Sequence, residues 1–178
     1  MKMFKVLLPA LLLVNLFCKT AQAPVYWDHV EYMFQSGPVS PKYQYNYSVI
    51  INKQMDGIFE YTYGSENPVT LSYKFRVTKD KISEITKYIS SMNLMGEQIP
   101  ELPDAKKPIG GSLRNVKIVE DMQNPNEDRP PKVYETPYFP VEEYRADLNK
   151  MYDYIDGLVP KYMRDEAASK REAYLNGN

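Results

Sequence analysis

Three short runs between Tyr43 and Val77 constrain this chain more than any other feature, because apolar and polar residues alternate through them, with Ile50 the one departure. Tyr43, Tyr45, Tyr47, Val49 and Ile51 interleave with Gln44, Asn46, Ser48, Ile50 and Asn52. Phe59, Tyr61 and Tyr63 interleave with Glu60 and Thr62, and Val69, Leu71, Tyr73, Phe75 and Val77 interleave with Thr70, Ser72, Lys74 and Arg76. A period of two with β-branched and aromatic residues on one side describes a strand buried on one face and wet on the other. Turn residues separate the runs: Gln54-Met55-Asp56-Gly57, with Asp-Gly suited to positive φ, and Ser65-Glu66-Asn67-Pro68. The pattern predicts an antiparallel meander over 43–77 with one apolar face, which needs a cover.

The cover is written downstream. Ile82, Ile85, Tyr88, Ile89 and Met92 recur at helical spacing, with Thr78 as N-cap, Val77 and Ile82 as a hydrophobic staple, and Gly96 closing the segment. Val141, Tyr144, Leu148, Met151, Tyr152, Ile155 and Leu158 predict a second helix with Pro140 at its first position. Gly157 and Pro160 break it, and residues 161–175 read as a charged helix with a thin apolar side of Met163, Ala167 and Tyr174. Additional strands are expected at Val25–Gln35, Leu113–Val119 and, as a short edge, Lys132–Glu135, between proline-rich connections at 97–110 and 121–140. The expected class is α+β: an antiparallel sheet of four to six strands with two or three helices packed on one face.

The first 23 residues stand apart. Lys2 and Lys5 precede an apolar run from Val6 to Phe17, and Ala21-Gln22-Ala23 offers small residues at the positions a signal peptidase reads. The run is too short to span a bilayer. The organisation read from the sequence is therefore a signal peptide (1–23), an α+β domain (24–160), and a charged C-terminal helix and tail (161–178), with an exported, periplasmic or secreted destination. Cys18, the one cysteine, is a candidate for lipid acylation, which the bulky Leu16-Phe17 before it disfavours. Cleavage leaves 19 basic and 23 acidic side chains, so no broad basic surface offers itself to nucleic acid. It also leaves a body without thiols, whose core must hold the fold unaided.

Catalytic sets are sparse. His29 is the only histidine, and no G-x-S-x-G turn accompanies a serine. Asp28 is not an orienting carboxylate merely because it adjoins His29. Gly110-Gly111-Ser112 lacks the length and the lysine of a phosphate-binding loop. Asn124, Asn126, Asp128 and Glu135 fall at calcium-loop offsets, but Arg129 stands where that loop requires Gly, and Pro130-Pro131 follow. No catalytic residue, metal ligand or cofactor is assigned. Asp121, Asp153 and Asp156 are the carboxylates that a glycan-active enzyme would call upon. Asn46-Tyr47-Ser48 is a formal glycosylation sequon.

Tyrosine is the compositional oddity, 16 residues of which none lies in the leader. The rings at alternating strand positions and on helix stripes are expected to fill the core. Trp27, Tyr134 and Tyr138 fall in or beside irregular segments and are the ligand-binding candidates. The function expected is a non-enzymatic binding or accessory module for a protein or a cell-envelope polymer. The alternatives are an assembly partner docking through its C-terminal helix and an enzyme working through carboxylates alone.

Overall fold

A computed structural model describes residues 25–65, 67–122 and 129–177. The leader with Cys18, and Asn124, Asn126 and Asp128, lie outside the described residues. Six strands form one antiparallel sheet: β1 (Trp27–Gln35), β2 (Tyr45–Asn52), β3 (Asp56–Tyr63), β4 (Val69–Arg76), β5 (Leu113–Glu120) and β6 (Val133–Glu135). Their spatial order is β4-β3-β2-β1-β5-β6, so the meander grows from one side of β1 and the later strands from the other. Three helices follow the apolar stripes: α1 (Lys79–Ser91), α2 (Glu142–Asp156) and α3 (Lys161–Leu175). This is the α+β arrangement that the alternation calls for. No helix among the described residues is long and apolar enough to cross a membrane.

Register builds the two faces row by row. On the helix-covered face, Val116, Tyr32, Val49, Phe59 and Tyr73 lie side by side across five strands, and Ile118, Val30, Ile51, Gly57 and Phe75 form the next row. Ile85 and Ile89 of α1, Leu148, Met151, Tyr152 and Ile155 of α2, and Met163 and Ala167 of α3 close over them. Trp27 joins this core through a β-bulge between Trp27 and His29, where the pairing with β5 slips by one residue. Strict alternation from Val30, Tyr32 and Phe34 would turn Trp27 outward; the extra residue turns it in, fully enclosed, with Nε1–H donating to Thr86 Oγ1 of α1 at 3.0 Å.

The tyrosine side of this face is bound to the helices by cations. Arg114 donates to the Tyr32 hydroxyl at 2.9 Å and to Asp153 of α2 at 2.5 Å, with its guanidinium 5.2 Å from the Tyr152 ring centre. Arg164 of α3 sits 5.4 Å from the Phe59 ring and donates to Asp156 Oδ1 at 2.9 Å. Arg171 lies 4.5 Å over Tyr45, and Tyr174 packs on Tyr63 with ring centres 5.4 Å apart. The charged C-terminal helix is thus seated on the sheet, its long side chains covering rings with their stems and heads.

Three local expectations need correction. Tyr43 does not open a strand: Pro41 fixes φ for a one-turn 3-10 helix over Pro41–Tyr43, which leaves Tyr43 exposed and delays β2 to Tyr45. The β2–β3 turn closes earlier than Asp-Gly, at Asn52–Met55. Asn52 Oδ1 accepts the Asp56 N–H at 3.0 Å, and Met55 takes the positive φ of 69°. Gly57 lies within β3, where the Phe75 ring occupies the space of a Cβ at 2.5 Å. Pro140 precedes the α2 cap residue Val141 and bridges to Glu101, so it does not open the helix. Thr78 caps α1 as expected, through its backbone carbonyl and without a side-chain bond.

Candidate functional site

The second face of the sheet carries the other half of each alternation. Leu113, Gln35, Asn46, Thr62 and Thr70 make one row across five strands, and Asn115, Met33, Ser48, Glu60 and Ser72 make the next. Lys117, Glu31, Ile50, Ile58 and Lys74 follow. The helices described above all engage the opposite face, and this one stays half-exposed. Its upper rows are mostly amides and hydroxyls, short side chains that do not reach out into solvent as lysines would, with Leu113, Met33 and Glu60 among them. Thr62 and Thr70 bond across strands at 2.9 Å, which holds that end of the row in one arrangement.

Two hollows lie on these rows. The larger, about 420 Å³, has Gln35, Asn46, Thr62 and Leu113 among its lining, with walls from Ser36-Gly37-Pro38, from Pro108 to Gly111, and from Phe139. The second, about 330 Å³, is lined by the same four residues, by the polar Glu31, Ser48 and Glu60, and by Met33, Phe34 and the Tyr47 and Tyr138 rings. Sharing four residues, they form one furrow across β5, β1, β2 and β3, roughly 14 Å over three inter-strand gaps of about 4.8 Å.

The walls are held by specific local chemistry. Ser36 closes the β1–β2 connection in both directions, its N–H donating to Tyr45 O at 2.9 Å and its Oγ accepting Tyr45 N–H at 3.0 Å. Gly37 abuts the opposite wall, since a Cβ there would stand 2.6 Å from Gly111 O. Gly110 and Gly111 turn the opposing loop with φ of 92° and 89°, a region costly for other residues. Ile109 at its tip is wholly exposed, and Val39 across from it is 44% exposed. Leu102 N–H donates to Phe139 O at 2.8 Å, which pins the segment carrying Tyr138 and Phe139.

The charge inventory of the furrow is short. Among the described residues Glu31 and Glu60 are its only carboxylates, and no Lys or Arg lines either hollow. The carboxylates considered from sequence lie elsewhere, each against a cation: Asp153 on Arg114, Asp156 on Arg164, and Asp121 on Lys53 at 3.4 Å. Asp28 does reach its neighbour, with Oδ2 at 2.7 Å from His29 Nδ1, so adjacency alone brings the two together. The cross-strand neighbours of His29 are Asn52 and Val119, so the sheet sets no hydroxyl or thiol beside it. Among the described residues no cluster of three or more His, Cys, Asp or Glu is placed to hold a metal ion.

The three aromatic candidates part company. Trp27 is interior. Tyr134 pairs opposite Ile118 on the helix side and lines a hollow with Leu94 and Ile99 at the β6 edge. Tyr138 is 39% exposed and borders the furrow. Gln35, Gln44 and Glu31 were not singled out from sequence. The signal that points toward this face is the recurrence of amides and hydroxyls at Gln35, Gln44, Asn46, Ser48 and Thr62; nothing local points to Glu31. No known family model matches the chain, and no curated protein is similar to it.

Proposed function

We propose that the chain is an exported, non-enzymatic binding module, and that its binding surface is the furrow on the uncovered sheet face. One observation carries the reading: a continuous hollow whose strand-borne floor mixes amides and hydroxyls with Leu113 and Met33, walled by two glycine-bearing loops and bordered by Tyr138. Strand-borne amides and hydroxyls are preorganised, so little ordering entropy is lost when a ligand engages them. Asp153 and Asp156 are ion-paired along the helix layer, and Glu31 and Glu60 stand on neighbouring rows with the Ser48 hydroxyl on the strand between them and no histidine in either lining. The leader directs the partner class to a protein or polymer of the cell envelope.

Hydrogen–deuterium exchange of the full chain, with and without envelope material from its host, tests this. Protection is expected at residues 31–37, 44–48, 60–64 and 108–113. Protection confined to the outer faces of α2 and α3 supports the assembly-partner reading instead, and unchanged exchange throughout contradicts both.

A further inference from the structure

The lining chemistry narrows the ligand further, on the premise that the furrow is the binding surface. We propose that it takes an uncharged, hydroxyl-rich glycan chain. Anionic ligands need cations to offset their desolvation, and the furrow presents none. An apolar ligand would strip water from the Asn46 and Gln35 amides and offer them no hydrogen bond in return. A polypeptide gains affinity on a sheet chiefly by adding to an edge, where backbone groups are unpaired. On this face the backbone is committed to the β1–β2–β3 ladders, and only side chains are offered.

Sugar hydroxyls suit what remains. Each is donor and acceptor at once, as an amide or hydroxyl partner is, and the acceptor-only carboxylates of Glu31 and Glu60 take the surplus donors. The C–H faces of a pyranose find apolar contacts in the lining itself, at Leu113, Tyr138 and Phe139. The furrow, roughly 14 Å long from β5 to β3, holds a short oligosaccharide stretch of a longer chain.

The test titrates the full chain with β-linked hexasaccharides of glucose and of N-acetylglucosamine, a galacturonic acid hexamer and a lysine-rich decapeptide, following the side-chain amide signals of Asn46 and Gln35 by NMR. Saturable shifts are expected from an uncharged hexasaccharide and none from the anionic one. Asn46→Ala and Gln35→Ala, both at exposed positions, are each expected to weaken that binding about 3–10-fold, the equivalent of one hydrogen bond. Shifts from the peptide alone overturn the glycan assignment and leave the furrow as a binding surface. Sugar binding untouched by either variant overturns the placement. Silence from every probe overturns the glycan assignment, and with unchanged exchange against envelope material it removes the binding reading too.

Discussion

Met163→Ala separates a helix that belongs to the domain from one that merely trails it. Met163 is 4% exposed and packs in the same buried cluster as Leu148, Ile155 and Phe59. Truncating it removes the thioether arm from the space between α3 and the sheet. Arg164 and Arg171 hold α3 at its distance by stacking on Phe59 and Tyr45, so the helix settles only in part and a cavity remains. Large-to-small changes of this kind cost about 2–5 kcal/mol. For a chain of this size that is a fall of roughly 5–15 °C in Tm. Tyr162 on the same helix is 64% exposed, and Tyr162→Ala is expected to stay within about 0.5 kcal/mol. Urea titration followed by far-ultraviolet circular dichroism reads both, with unchanged m-values. Equal midpoints for the two variants refute the reasoning, for they mean that α3 contributes no interior.

Trp27 is the one tryptophan, so native emission is expected to be blue-shifted and resistant to acrylamide, and to stay unchanged when the furrow is filled from the other face. Gly37→Ala drives a Cβ against the Gly111 carbonyl and parts the furrow walls. We expect a loss of about 1–3 kcal/mol, seen by thermal melting, with amide shifts concentrated at 108–113. Burial pushes the Tyr61 and Tyr152 hydroxyls up to about 12, from an ordinary value of 10.0. Their folded-state values stand above the unfolded one, so the stability they contribute is whole below pH 10 and is lost as pH rises through about 12. Phenolate absorbance should therefore rise late and together with unfolding, and early, reversible titration of all rings contradicts the buried wall.

The strands, the helix stripes and the division into a covered and an open face were legible in the sequence because each rests on local periodicity. Val69 to Val77 alternates without exception, and burial of one side leaves it little choice of face. What escaped depends on pairing or on chain segments far apart. Nothing local says that β1 sits in the middle of the sheet, between β2 and β5. The bulge at Trp27–His29 reverses the parity of one residue, and with it a candidate surface ring becomes a core ring. The furrow draws on β5, β1, β2 and β3, and its walls touch at Gly37 and Gly111 across more than seventy residues of chain. Its polar floor was visible as alternating Asn46, Ser48, Glu60 and Thr62, but read only as a wet face. Amides and hydroxyls recur at several positions where a solvated strand is free to carry Lys or Glu, and that preference is the sequence feature on which the proposed binding surface rests.

The most direct measurement blocks one surface at a time. In a Cys18→Ser background, Ser48→Cys places a thiol on the furrow lining, and Ser169→Cys places one on the exposed side of α3. Each variant is coupled to a bulky maleimide and assayed for retention on host envelope material. The account predicts that modification at position 48 abolishes retention while modification at 169 leaves it intact. The reverse pattern contradicts it, and assigns the binding surface to the C-terminal helix.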